Sequence, residues 1–214
     1  MIIKRVPFYS NTSDDTHCDQ AAIRMVLKYF LPNKTFGWKK LEIFTGKKKG
    51  LWTWPMVGLI NMKKMGFDVL HLTLFDYVKF AKFGLNYLRE WTKDENVVKV
   101  QNKYSDIDYE KKNALEYSKV KIQKKILPML NDIKKLLNKG YLVVCNVNSK
   151  ILNKKEGYVG HLVVVFGYNN KSLYLHDPGL PPLKNREVAY DLFLRSWEYP
   201  NAKQKNIRAF KLTS

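Results

Sequence analysis

The chain has 214 residues, 45% of them apolar, enough for one full-sized domain with its own core and no need of cross-links. No apolar run approaches the ~20 residues of a membrane span, and the opening Met1-Ile2-Ile3-Lys4-Arg5-Val6-Pro7 lacks the apolar centre and small-residue cleavage site of an export signal. The net charge of +19 comes from 38 Lys and Arg against 19 Asp and Glu. The excess is spread over short clusters (Lys47-Lys48-Lys49, Lys124-Lys125, Lys134-Lys135, Lys154-Lys155), so it reads as a solvated surface before it reads as a nucleic-acid interface.

In chain order, the first predicted element is a helix over residues 18–31. Ala21, Ala22, Met25, Val26 and Tyr29 recur at three- and four-residue spacing, Asp14, Asp15 and Thr16 offer caps upstream, and Pro32-Asn33 stop it. A second helix is expected over 53–65, with Thr53 as cap, Pro55 in its first turn and Gly66 past its end. Residues 67–74 resemble a short strand. Residues 76–125 mix aromatics with 12 basic and 8 acidic side chains at mostly helical spacing and are read as a helical insertion. A helix over 127–138 has Pro128 in its first turn, an inner face of Leu130, Ile133, Leu136 and Leu137, and Gly140 as terminator. The chain then turns to strands at 141–147, 161–168, 173–176 and 207–212, rich in β-branched and aromatic residues, with Asn169-Asn170-Lys171 as a hairpin turn. Helices first and an antiparallel sheet after is an α+β order.

Three short stretches carry the chemistry: Thr16-His17-Cys18-Asp19-Gln20-Ala21-Ala22, Gly160-His161 with the strand that follows, and Leu175-His176-Asp177-Pro178-Gly179. They supply a thiol at a helix start, an imidazole at a strand start and a carboxylate at a strand end. A helix N-terminus favours the thiolate, the nucleophilic form of cysteine. An imidazole can take the thiol proton and return it to a leaving group, and a carboxylate can orient that imidazole. In a hairpin turning on Asn169-Asn170, His161 and Asp177 fall close to opposite one another. Cys145, mid-strand between Val144 and Asn146, reads as a core residue. With no export signal, both cysteines are expected as free thiols in a reducing, cytoplasmic setting.

On these residues the chain resembles the bacteriocin-processing, double-glycine-leader peptidases, family thirty-nine of the cysteine peptidases, which have a papain-like fold. Val6-Pro7-Phe8-Tyr9 is similar to the family's opening strand, and Cys18-Asp19-Gln20-Ala21 stands where the family has Cys-Gly-Pro-Ala. Gly160 to Tyr168 matches its Gly-His strand, and Asp177-Pro178 its Asp-Pro. The resemblance covers nearly the whole length except residues around 76–125. It implies one papain-like domain over 1–214, with the Cys helix in an N-terminal helical part and His and Asp on a C-terminal antiparallel sheet. It further implies Cys18 as nucleophile, His161 as general base, Asp177 as orienting carboxylate, and hydrolysis of a peptide or isopeptide bond through a thioester. Two departures stand out. Where the family has an oxyanion-binding Gln, this chain has Thr12 beside Asn11, the two candidate donors. Asp19 sets a carboxylate directly after the nucleophile.

Trp52 and Trp54 are candidates for the substrate groove, as binding clefts favour aromatics. Cys18, His17, His161 and Asp177 could be gathered by a zinc ion, but no ligand pair has compact zinc spacing, so neither metal nor cofactor is expected. His176 reads as structural. The expected partner is a peptide or protein substrate. The rival readings are a thiol acyl or peptidyl transferase, a catalytically dead peptide-binding module, and a basic nucleic-acid adaptor.

Overall fold

The computed structural model describes residues 2–213. Its elements, in chain order, are β1 (Ile2–Ile3), α1 (Cys18–Phe30), α2 (Trp38–Thr45), α3 (Pro55–Lys64), β2 (Phe67–Thr73), α4 (Tyr77–Phe83), α5 (Leu85–Thr92), α6 (Glu95–Tyr104), α7 (Ile107–Ser118), β3 (Gln123–Lys124), α8 (Leu130–Asn138), β4 (Leu142–Asn148), α9 (Ser149–Leu152), β5 (Gly160–Tyr168), β6 (Ser172–Asp177), β7 (Leu183–Ala189), α10 (Tyr190–Trp197) and β8 (Asn206–Leu212). This is the α+β arrangement expected. The strands form one sheet in the order β3-β2-β8-β4-β5-β6-β7, with β1 added antiparallel beside β5.

The sheet is buried on both faces, which explains why its central strands are continuous apolar runs rather than alternating ones. Leu142 and Val144 of β4, Leu162 and Val164 of β5 and Phe210 of β8 pack under α1, α3 and the helices of 77–118. Val143 and Cys145, Val163 and Val165, and Ile207 and Ala209 point to the opposite face, under α8 and α10. At a period of two, one strand thus serves two cores. Each fully buried aliphatic side chain contributes about 1.5–3 kcal/mol.

The segment read as an insertion holds four helices. Three begin on an aspartate whose carboxylate accepts from the first turn: Asp76 from the Lys79 amide, Asp94 from Asn96 and Val97, and Asp106 from Tyr109. Tyr77, Phe80, Ala114 and Tyr117 are buried in the same core as α1 and α3. The following β3 pairs in parallel with β2, His71 opposite Gln123. These helices therefore complete one face of the sheet.

Several expectations are corrected. Residues 6–9 form no strand, and the edge pairing is made earlier, by Ile2 and Ile3 against Tyr168 and Gly167. Pro7 has no amide hydrogen to give a ladder. The helix expected from residue 127 starts at Leu130, so Pro128 lies before it. The elements α2, α9, the polar edge strand β7 and α10 had no counterpart in the sequence reading.

Candidate active site

Cys18 is the first residue of α1, half-buried, at the end where the helix amides have no intrahelical partners. The start of α1 carries no side-chain cap. None of the three upstream candidates, Asp14, Asp15 and Thr16, caps it: Asp14 instead accepts from Thr12 and from the Thr16 hydroxyl and amide, which hold its carboxyl well below the usual range. Helix α1 is fixed from below by Asp19, whose carboxylate accepts from Arg208 Nη1 at 2.6 Å. Burial pushes the Asp19 carboxyl up, and the Arg208 guanidinium opposes that shift. The carboxylate after Cys18 is thus matched by a buried cation on the strand β8 beneath α1, and Arg208 and Asp19 are both nearly inaccessible to solvent.

His161 is the second residue of β5 and Asp177 ends β6. A bulge near Phe166 changes the hairpin register, so Val164 pairs with His176, and His161 lies diagonal to Asp177 rather than directly across. A two-residue diagonal keeps both side chains on one side of the hairpin, and His161 Nε2 meets Asp177 Oδ1 at 2.7 Å. That leaves Nδ1 as the ring nitrogen for the Cys18 thiol. The carboxylate is held on both oxygens: the Gly179 amide donates to Oδ1 at 3.0 Å and Arg186 Nη1 to Oδ2 at 2.7 Å. Arg186 in turn donates to the Leu152 carbonyl and to Asn153 Oδ1 at the end of α9.

The charges follow this geometry. Burial disfavours the His161 imidazolium, but hydrogen bonds to Asp177 and Cys18 and the negative charge of both outweigh it, and the ring is pushed up to about 10. Burial likewise disfavours the Asp177 carboxylate. His161, the Gly179 amide and Arg186 overcome it and hold the carboxyl below its ordinary value. The charged imidazolium of His161 is thus the form that Asp177 and the Cys18 sulfur together favour. Lys47 adds a positive charge: its ammonium donates to Thr16 Oγ1 at 2.9 Å and to the Leu51 carbonyl, and it feels the negative charge of Cys18.

Two cavities flank the sulfur. Cys18, Trp52, Gly160 and His161 line both. The smaller, about 60 Å³, runs past Asp177, Gly179 and Pro181. The larger, about 150 Å³, runs between the sheet and helices α5 and α6. Trp52 stacks on Tyr104 with centroids 5.1 Å apart, and Trp54 on Phe80 at 4.7 Å, so both tryptophans named from the sequence are fixed walls of the larger cavity.

Asn11 and Thr12 line neither cavity. Asn11 Nδ2 donates to Asp15 Oδ1 at 2.7 Å, and its Oδ1 accepts from the Thr12 and His17 amides. Thr12 Oγ1 lies between Asp14 and His17 Nδ1. Their polar atoms shape the loop that leads to Cys18. The Asn11 amide also donates to the Pro178 carbonyl at 2.7 Å, tying that loop to the one after Asp177. Gln20 donates to Thr45 and Thr53.

His17 Nε2 faces Glu42 at 2.9 Å, and no set of three His, Cys, Asp or Glu side chains among the described residues is arranged to hold a metal ion. His176 donates to the Val6 carbonyl and accepts from the Asn185 amide, a tether for the N-terminal segment. Cys145 is fully buried in β4, where desolvation raises its thiol far above the ordinary range.

Sequence reasoning missed Arg186, Gly179 and Lys47. Lys47 is indistinct within a lysine run, and Arg186 lies in a strand whose polar composition hides it. Gly179 carried a signal, because it follows an Asp-Pro at the end of a strand. A Cβ there would stand 3.0 Å from Asp177 Oδ1 and 3.3 Å from His161 Nε2.

A family model described as the Peptidase_C39 like family matches residues 3–204. The chain belongs to the Peptidase_C39 like family. The fold agrees with that membership. The peptidase domain of Streptococcus ComA, a bifunctional ABC transporter of a quorum-sensing pathway, is similar with a TM-score of 0.53 at 13% identity, covering 98% of this chain and all of that one. A double-glycine motif protease from an AMS/PCAT transporter, solved with the leader peptide, has a TM-score of 0.51 at 14% identity, covering 99% of this chain and 94% of that one. A Bacillus anthracis protein described as a C39-like peptidase has a TM-score of 0.51 at 18% identity, covering 100% and 98%. No curated protein matches. The C39-like fold is shared end to end, and no described helix is long and apolar enough to cross a membrane.

Proposed function

We propose that the protein is a thiol hydrolase that cleaves a peptide or isopeptide bond, with Cys18 as nucleophile, His161 as general base and acid, and Asp177 as orienting carboxylate. The observation that carries this reading is the 2.7 Å contact of a buried Asp177, itself held by Arg186, with a His161 whose charged form is stabilised by the Cys18 sulfur. His161 takes the thiol proton and the sulfur attacks the carbonyl carbon. The C–N bond then breaks as His161 returns the proton to the amine, leaving a thioester. Water attacks the thioester with His161 as base, which releases the carboxylic acid and restores the thiol. The unpartnered amides at the start of α1 stand ready for the developing oxyanion, and Lys47 supplies positive charge nearby. Such a donor contributes about 3 kcal/mol to the transition state.

The substrate is a peptide in this reading, in line with the leader peptide bound by the structural neighbour and with cavities on both sides of the sulfur. The cell compartment we propose is the cytoplasm. A second reading, a peptide-binding module without turnover, is favoured by the engagement of Asn11 and Thr12 within their own loop.

Alkylation at neutral pH decides between them. Iodoacetamide is expected to modify Cys18 at least about 100-fold faster than Cys145, given the difference in exposure and ionisation, with Cys18→Ala leaving no fast-reacting thiol and an unchanged melting curve. Equally slow modification of both cysteines would sink the hydrolase reading and leave the binding module.

A further inference from the structure

A chain of hydrogen bonds with a fixed direction runs along the wall of the larger cavity. It starts at Trp54, just before α3, whose indole Nε1 lies 3.0 Å from Ser105 Oγ at the end of α6. An indole N–H can only donate, so Ser105 accepts there and passes its own hydrogen to Gln101 Oε1 at 3.2 Å. With its carbonyl oxygen turned to Ser105, Gln101 presents its amide to Tyr158 and donates to Oη at 3.1 Å. Ser105 and Gln101 each accept one bond and pass one on. Tyr158 accepts and passes none on, for its O–H finds no acceptor among the described residues.

That spare hydrogen stands beside the reacting groups. Tyr158, Gly160 and His161 line the cavity together with Cys18. A Cβ on Gly160 would lie 3.0 Å from Tyr158 Oη and 3.8 Å from Trp52 Cζ3. The hydroxyl thus crowds the side-chain position of Gly160, at a wall shared by the two cavities that flank the sulfur. The ring is held by stacking on Tyr199, centroids 5.8 Å apart. Burial pushes the phenol up to about 12 against the Gln101 bond, so it keeps its hydrogen at the pH at which thiols react. A peptide main chain brings one carbonyl acceptor per residue. A bare glycine beside an unused phenol donor fits such a chain.

We propose that Tyr158 is a peptide-binding residue whose hydroxyl donates to a main-chain carbonyl of the substrate lying over Gly160, and that Gln101 is the positioning residue that turns the phenol hydrogen towards it. The place of this contact in turnover rests on the hydrolase reading; the contact with a peptide does not.

Two variants test the direction of the chain. Tyr158→Phe removes the hydroxyl and keeps the ring. Gln101→Glu keeps the size but sets an acceptor where the amide donated, so the phenol hydrogen is drawn to the new carboxylate and away from the cavity. In the first measurement acetyl-Gly-Gly-nitrile is added. The Cys18 sulfur bonds to the nitrile carbon, one π bond of C≡N opens, the thiol proton passes to nitrogen, and the thioimidate is read by intact mass. Both variants are expected to react about tenfold more slowly than the unaltered protein, the value of one hydrogen bond. Alkylation of Cys18 by iodoacetamide, which carries no peptide chain, should not change. Unchanged nitrile rates overturn the assignment and leave the hydrolase reading standing. Equal falls with both reagents also overturn it, since the two residues would then act on the thiol.

The second measurement needs no chemistry at sulfur. The Cys18→Ala protein is titrated with acetyl-Gly-Gly-Gly-Gly-amide, following tryptophan fluorescence, alone and combined with each variant. The dissociation constant is expected to rise about tenfold with either. Unchanged constants, or no binding to any of the three proteins, overturn the assignment. Peptide binding that depends on Tyr158, with no nitrile adduct on the unaltered protein, overturns the hydrolase reading and leaves the contact in place.

Discussion

Arg186 and the Gly179 amide hold Asp177 so that one carboxylate oxygen is committed to His161. Asp177→Asn keeps the shape but offers an amide donor where the ring needs an acceptor, and turnover is expected to fall about 10⁴-fold through the wrong tautomer. The pH profile gives a second readout. His161 is raised from 6.5 to about 10 by Asp177 and Cys18, so the imidazolium that protonates the leaving amine is present below that value and lost as pH rises through it. The alkaline limb of kcat is expected near pH 10, and in Asp177→Asn it should move to lower pH, because the charged ring has lost a stabilising partner. By the same sign, the hydrogen-bonded pairing of charged His161 with Asp177 contributes to folding stability in full below pH 6.5, and that contribution disappears as pH climbs through about 10. Arg186→Leu should leave KM nearly unchanged while kcat falls about 10- to 100-fold, the effect of letting the carboxylate rotate. A profile unmoved by either substitution would remove Asp177 from the mechanism.

At the scale of elements, α2 shows what a sequence conceals. It has eight residues, no side-chain cap and only two buried side chains, Leu41 and Thr45. It stops at Gly46, whose φ of +71° is open to glycine at little cost. A Cβ on Gly46 would come within 2.7 Å of the Tyr109 hydroxyl and 3.0 Å of Val57. Gly46→Ala therefore combines left-handed strain with a clash, and a loss of about 2 kcal/mol is expected in denaturant melts. A loss under half of that would mean that α7 yields to accommodate it. The elements legible in advance were those with strong periodicity or punctuation: α1 between its polar loop and Pro32, α8 before Gly140, and the apolar runs of β4, β5 and β6. The edge strand β7 exposes most of its side chains and so carries no apolar alternation. The hairpin turn at Asn169 was readable, with the Asn169 carboxamide accepting from the Lys171 and Ser172 amides. The bulge that displaces the register by a step was not, since nothing local at Phe166 demands it. The site survived the misjudged register because a diagonal pair on one side of a hairpin still lies within reach of an imidazole.

Across the whole molecule, residues 76–125 form the distinctive part, where the sequence resemblance lapses. Tyr77, Phe80, Tyr117 and Ile122 are each at least 94% buried in the core shared with α1 and the sheet. Cutting the segment out and joining its ends is expected to yield a chain without a cooperative thermal transition, because several aromatic burials of about 3 kcal/mol or more each disappear against a total stability of about 5–15 kcal/mol. A sharp melt from the shortened protein would instead mark the segment as dispensable for folding. Most of the charge of +19 is dispersed over the surface, and only Lys47, Arg186 and Arg208 are needed to explain the cleft. One further consequence follows from the short contact between the Asn11 amide and the Pro178 carbonyl. The segments that deliver the sulfur and the carboxylate are stitched edge to edge, so they behave as a single rim. A chimera that takes one of them from a relative without its counterpart should inherit mismatched positions for both groups, whereas exchanging the two together should carry the geometry across intact.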